Sequence, residues 1–183
     1  MPAVFTRLDR SQRDFFHGRS TKDLHPSLPT GIAQCHDTQV RSSPISVPGT
    51  ALMVQFGGAL DARLDFDDGT FGIADFKTSS PSEDHLEFYS SQLHAYAWAL
   101  EHPSRGDETP RSVSILGLLC IDPGPMVELT DGSYAYTADA TWMPARRDDA
   151  SFSALLVEVC ALISGPLPPP SEQCAWCSTT ARS

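Results

Sequence analysis

Three textures of apolar and polar positions follow one another along the chain. Residues 1–50 show little periodicity. They hold a short helical candidate, LDRSQRDFF, and then a loop-rich segment broken by Pro26, Pro29, Pro44 and Pro48. From Ala51 the pattern changes to short apolar runs, which predict strands over 51–56, 59–66 and 70–77, the last two joined by DDG, in a three-strand meander. SEDHLEFYSSQLHAYAWALE, 82–101, predicts a helix, with Ser82 as N-cap, acids in the first turn and Pro103 just beyond the end. The unbroken apolar run SVSILGLLCI, 112–121, predicts a strand buried on both faces. VELTDGSYAYTADATW predicts a second hairpin turning at Asp131-Gly132, and DDASFSALLVEVCALIS, 148–164, an amphipathic helix closed by Gly165 and Pro166. The resulting order is α, βββ, α, β, ββ, α, followed by a proline-rich tail ending in CAWCSTTARS.

The length of 183 residues suits one compact domain, expected over 1–170 with 171–183 as a tail. The longest apolar run, 115–121, is too short to span a bilayer, and MPAVFTRLDR lacks the basic-then-apolar order of a signal peptide, so the expectation is a cytoplasmic protein with no membrane partner. Five cysteines, an odd number, fit reduced thiols or a partial metal site better than a disulfide framework. Cys120 and Cys160 lie in apolar runs and are expected in the core. The 13 basic and 23 acidic side chains leave a net charge of −10, which argues against an extended polyanion-binding surface. A local basic excess at Arg7, Arg10, Arg13, Arg19 and Lys22 is the exception.

Charge becomes informative inside the hairpin GALDARLDFDDGTFGIADFKTS. A two-residue turn on Asp68-Gly69 would place Asp75 and Lys77 on the face of Leu60, Leu64 and Phe66, burying charge among leucines. A three-residue loop, Asp67-Asp68-Gly69 with glycine left-handed, sets Phe66 opposite Thr70 and Asp61 opposite Asp75, with Lys77 level with Ala59. Leu60, Ala62, Leu64 and Phe66 then share the other face with Gly72, Ala74 and Phe76. Directly opposed residues have Cβ atoms about 5 Å apart, where like charges repel. Two carboxylates there become favourable with a cation between them, and Mg²⁺ takes oxygen ligands at about 2.1 Å while keeping waters. Lys77, on the same side, supplies positive charge where an oxyanion develops, a set suited to metal-assisted phosphodiester hydrolysis. The competing reading is an exposed face with Lys77 as salt-bridge partner, of little energetic weight. The helix that follows favours the first: His85, Tyr89, Gln92 and Tyr96 fall on one stripe beside the apolar stripe of Leu86, Leu93, Ala97 and Leu100.

GALD, then ADFKTS, then QLHAY resembles the three successive motifs of the RecB-like branch of the PD-(D/E)XK nuclease superfamily: G-x-x-D, D-x-K-T and Q-x-x-x-Y. The match spans residues 58–96. The resemblance implies an α/β fold with a central mixed β-sheet flanked by helices, a restriction-endonuclease-like αβββαβ core, and Mg²⁺- or Mn²⁺-dependent cleavage of DNA, exonuclease-like. By position, Asp61 and Asp75 become metal ligands with the Phe76 carbonyl as a third, and Lys77 orients or activates the attacking water and stabilises the transition state. Gln92 supports Lys77 and the water, and Tyr96, with Tyr89 beside it, contacts the substrate. Many members of this branch also carry a metal-binding histidine on an upstream helix. His17, His25 and His36 are the candidates, and His25 is preferred for its distance from Asp61, although it precedes Pro26.

CAWC resembles the C-terminal cysteines that hold an iron–sulfur cluster in some relatives. Cys174 and Cys177 have ligand spacing and Cys35 is the upstream candidate, but a cluster needs four thiolates and no fourth follows, so a reduced pair is favoured over a cluster, and a cluster over zinc. The acidic balance implies either a localised DNA groove or a larger protein complex that supplies affinity. A catalytically weak or inactive nucleic-acid-binding or assembly subunit with the same fold is the alternative function, and a cysteine-metal module a third.

Overall fold

The computed structural model describes residues 3–36, 38–104, 106, 109–166, 169, 171, 173 and 174. It is an α/β structure. A mixed five-stranded sheet, in the order β1-β6-β7-β8-β9, is built from β1 (Gly31–Gln34), β6 (Ala62–Phe66), β7 (Phe71–Lys77), β8 (Val113–Glu128) and β9 (Tyr134–Ala145). Helices α1 (Ala3–Phe16), α2 (Thr21–Leu24), α3 (Glu83–Glu101) and α4 (Asp149–Ser164) flank it. α3 is the crossover between β7 and β8, the one parallel pair among the described strands of this sheet. Two short ribbons stand outside it: β2 (Thr38–Arg41) with β5 (Gly57–Leu60), and β3 (Ile45–Ser46) with β4 (Met53–Val54).

The sheet separates two cores. Ile73, Leu116, Leu118 and Cys120 meet Leu93, Ala97 and Leu100 of α3 on one face. Ala62, Leu64, Ala74, Phe76, Leu119 and Trp142 meet Phe16 and Leu24 on the other. Because both faces are covered, the run 113–121 carries no polar alternation, as expected of a central strand. Gly117 is required there: a Cβ would lie 2.4 Å from the Met143 carbonyl oxygen.

Several expectations are corrected. Residues 51–56, 59–66 and 70–77 do not form a meander. Met53–Val54 pairs with β3, and the second expected strand breaks at Asp61 into β5, which pairs with β2, and β6, which pairs with β1 and β7. Leu60 therefore packs on the α3 side rather than with Leu64 and Phe66. The competing reading of an exposed charged face does not hold along β7, which is buried on both sides until Lys77. The second hairpin is not separate. β8 runs on to Glu128 and pairs with β9, with an irregularity between Pro123 and Met126, where two prolines remove ladder donors. α1 begins well before LDRSQRDFF, and β1 and β2 lie in the segment expected to be loop. α4 is not amphipathic: Phe152 and Cys160 are its buried side chains, while Leu155, Val159, Leu162 and Ile163 face outward. Among the described residues no helix is long and apolar enough to cross a membrane.

Candidate active site

The loop that joins β6 and β7 sets the register. Gly69 has φ +86°, and its N–H donates to the Phe66 carbonyl at 3.0 Å, while the Phe66 N–H donates to the Thr70 carbonyl at 3.1 Å. This is the three-residue loop, and the ladder that follows pairs Leu64 with Gly72 and Ala62 with Ala74. The same register sets Asp61 opposite Asp75. One step further, backbone pairing would give the Phe76 N–H to the Leu60 carbonyl. Instead the Asp61 carboxylate takes it, at 2.9 Å. The side chain substitutes for a strand partner, the chain is released from the sheet, and the carboxylate stays at the point of departure. A strand residue points its N–H and C=O to the same side, so the Phe76 carbonyl also faces Asp61.

Asp75 lies on the α3 face of β7, 4% exposed. Lys77, two residues on, forms an ion pair with its Oδ2. The Lys77 ammonium also sits 4.0 Å above the ring centre of Tyr89. Gln92 Nε2 donates to Asp75 Oδ1 at 3.3 Å and to the Tyr96 hydroxyl at 3.2 Å, and that hydroxyl donates to the Ala59 carbonyl at 2.9 Å. The α3 stripe thus reaches the carboxylates through Tyr89, Gln92 and Tyr96, whereas His85 stays exposed in the first turn. Gln92 contacts Asp75 rather than Lys77. Tyr96 braces β5 against α3: a Cβ on Gly58 would lie 2.9 Å from its ring.

The electrostatics follow from crowding. Burial and then the charge of Asp75 push Asp61 from the ordinary 3.8 up to about 6, against the Phe76 N–H and Lys77. Burial alone would lower Lys77, but the adjacent Asp75 and the other groups around it outweigh that and hold it above its ordinary value. Tyr96 is raised, chiefly by burial.

α1 adds groups that sequence reasoning missed. Gln12 Nε2 donates to the Thr78 hydroxyl at 2.9 Å, and Asp9, paired with Arg13 at 2.8 Å, adds negative potential at Asp61. Their i, i+3, i+4 spacing on the first helix was the available signal.

The upstream histidines fall elsewhere than preferred. His25 bonds Ser27 through Nδ1 at 2.8 Å and lines a cleft with Ser114, Ile115 and Trp142. Ile115 pairs with Gly72, at the opposite end of β7 from Lys77, so His25 is not brought to the carboxylates. The β1–β6 register, extended by two residues, instead sets His36 level with Asp61, and the His17 and His36 rings meet with centres 3.5 Å apart and planes tilted by 37°. The Cys35 N–H donates to His17 Nδ1, which assigns the ring proton to Nε2 in the neutral form and leaves that nitrogen a donor. Among the described residues no three His, Cys, Asp or Glu side chains converge as a metal-binding group. Cys35 is sealed in the core, where burial and then Asp61 push its thiol up to about 12, a poor source of thiolate. Cys174 is partly buried, and Cys177 lies outside the described residues.

The family model of the PD-(D/E)XK nuclease superfamily matches residues 7–182. A solved structure described as "Crystal structure of SSO0001" is similar at 18% identity with a TM-score of 0.43, over 82% of this chain and 60% of that one. The chain thus spans about three fifths of the length of that solved protein. No curated protein matches.

Proposed function

Since the chain belongs to the PD-(D/E)XK nuclease superfamily, we propose that it is a divalent-metal-dependent, exonuclease-like enzyme of the RecB-like branch that hydrolyses phosphodiester bonds in DNA. The observation that carries this reading is the pair of carboxylates at the point where β5 leaves the sheet, one of them raised to about 6 by burial and by the other. Burial and the repulsion from Asp75 are both offset by a bound cation, and the donors are hard oxygens. Asp61, Asp75 and the Phe76 carbonyl therefore fit a Mg²⁺ or Mn²⁺ ion that retains water ligands. When bound, such an ion supplies Lewis acidity and an acidified water.

The remaining work falls to the side chains around it. Lys77 is held protonated by Asp75, so it donates to a non-bridging phosphate oxygen and offsets charge developing in the transition state, rather than removing a proton. Gln92 fixes the orientation of the Asp75 carboxylate through Oδ1. Tyr89 forms the wall behind the ammonium and holds it over the site. Tyr96, through Ala59, sets where β5 delivers Asp61.

A second reading, a binding or assembly subunit without strong activity, is favoured by one observation: His25 is remote and no third ligand side chain converges on the carboxylates among the described residues. Incubation with labelled single- and double-stranded DNA and Mg²⁺ or Mn²⁺ separates the two. Cleavage that falls at least about a hundredfold in Asp75→Ala and Lys77→Ala supports the enzyme. Binding without cleavage in either ion supports the subunit.

A further inference from the structure

A cleft of about 600 Å³ is lined by Gln39, Val40, Arg41, Gln55, Gly57, Gly58 and Ser104. β2 and β5 form its floor, pairing Gln39 with Ala59 and Arg41 with Gly57. Alternation along β5 turns Gly58 and Leu60 toward α3 and turns Gly57 and Ala59 the other way, and across the ladder Gln39 and Arg41 share that outer side. The Arg41 backbone is fixed by Ser104, whose N–H and hydroxyl donate to its carbonyl at 2.9 and 3.1 Å, while its side chain is exposed. Arg13, Arg63 and Arg147 each pair with a carboxylate, but no carboxylate pairs with Arg41 among the described residues. The described lining of the cleft also holds no Asp or Glu. In a chain of net charge −10, a lane whose described lining holds no acid and whose arginine pairs with no described carboxylate, with Gly57 leaving room over the backbone, is a place for a polyanion.

β5 leads from this lane directly to Asp61. The four steps from Gly57 to Asp61 span about 13 Å at about 3.3 Å each. We infer that the β2–β5 ribbon is a backbone-binding subsite for the substrate strand, in which Arg41 takes a non-scissile phosphate of that strand and the Gln39 amide donates beside it. This rests on the nuclease reading and adds where the strand lies. It also answers the charge problem: affinity is gathered along one lane rather than across a basic face.

The test is the salt dependence of binding and cleavage of a labelled single-stranded oligonucleotide by the full chain. Arg41→Ala should raise KM and Kd about three- to tenfold and flatten the slope of log K against log salt by about 0.7, the value for one phosphate contact on a single strand. Arg41→Lys should restore the slope, and Arg146→Ala, removing an exposed charge near α4, should leave it unchanged. A wild-type protein that neither binds nor cleaves nucleic acid overturns the underlying reading. A wild-type protein that cleaves, with KM and slope unchanged in Arg41→Ala, overturns the subsite alone.

Discussion

Asp61→Asn should make the metal-free protein more stable while removing its activity. Asp61 is raised from 3.8 to about 6, roughly two units, by burial and the neighbouring Asp75. At about 1.36 kcal/mol per unit, keeping Asp61 ionised in the fold costs about 3 kcal/mol above pH 6. Asparagine removes that cost and still offers an oxygen to the Phe76 N–H, although its amide protons need partners, which returns about 1 kcal/mol. The net gain is about 2 kcal/mol, or about 4–8 °C in Tm for a chain of this size. The sign with pH follows from the raised value. Between pH 4 and 6 the folded state holds a proton that the unfolded chain has lost, so wild-type stability falls as pH rises through that window, and the variant lacks this fall. Calorimetry in EDTA from pH 4 to 8 should therefore show the variant about 1 kcal/mol behind near pH 4, the two curves crossing as pH rises, and the variant ahead above pH 6. Added Mn²⁺ should raise the Tm of the wild type and not that of the variant. A variant less stable than wild type at pH 8, or a gain that does not change with pH, would refute the account of two crowded carboxylates.

Arg147 joins three elements, donating to both Glu101 oxygens at 2.7 and 2.5 Å, to the Val113 carbonyl at 2.9 Å and to Asp149 at 2.8 Å. Arg147→Ala should cost about 2–3 kcal/mol in urea unfolding at neutral pH, because it strands a half-buried carboxylate. Burial raises Glu101, but Arg147 and the Val113 N–H outweigh it and hold the group below its usual range. The stabilisation is thus present above pH 4.5 and lost as pH falls through the depressed value, and the gap between the proteins should close in acid. A gap that widens in acid would contradict it. Gly58→Ala should lower kcat about tenfold with KM little changed, because its Cβ would displace the Tyr96 ring and, through Ala59, the approach of Asp61. Wild-type kcat in that variant would show that Tyr96 does not position the site.

What sequence could show was decided by steep local penalties. The β6–β7 register was legible because a slip of one residue would bury Asp75 and Lys77 with Leu64 and Phe66, β7 from its apolar run, and α3 from its apolar stripe, although Ser82 makes no side-chain cap hydrogen bond. The departure of the chain at Asp61 was not, since nothing local distinguishes a carboxylate that serves as a strand partner from one that faces solvent. Nor was the distance of His25 from the site. That depends on which end of the sheet α2 packs against, fixed by Leu24 and Leu28 entering the core beside Trp142. The contribution of α1 was hidden for the same reason: Gln12 reaches Thr78 across 66 residues of sequence.

The two facts that sequence kept apart meet at Asp61. The register sets Asp61 opposite Asp75, and the strand ends there as the Asp61 Oδ2 takes the Phe76 N–H in place of a backbone carbonyl. Asp75 is engaged at both oxygens, by Gln92 and Lys77, whereas Asp61 Oδ1 accepts no hydrogen bond among the described residues. Asp75 is therefore held rigidly, and Asp61 is the carboxylate with an oxygen still to give. Burial and the charge of Asp75 both disfavour a bare carboxylate there. The local structure that breaks the strand leaves this charge half satisfied, and the divalent cation proposed above would complete it.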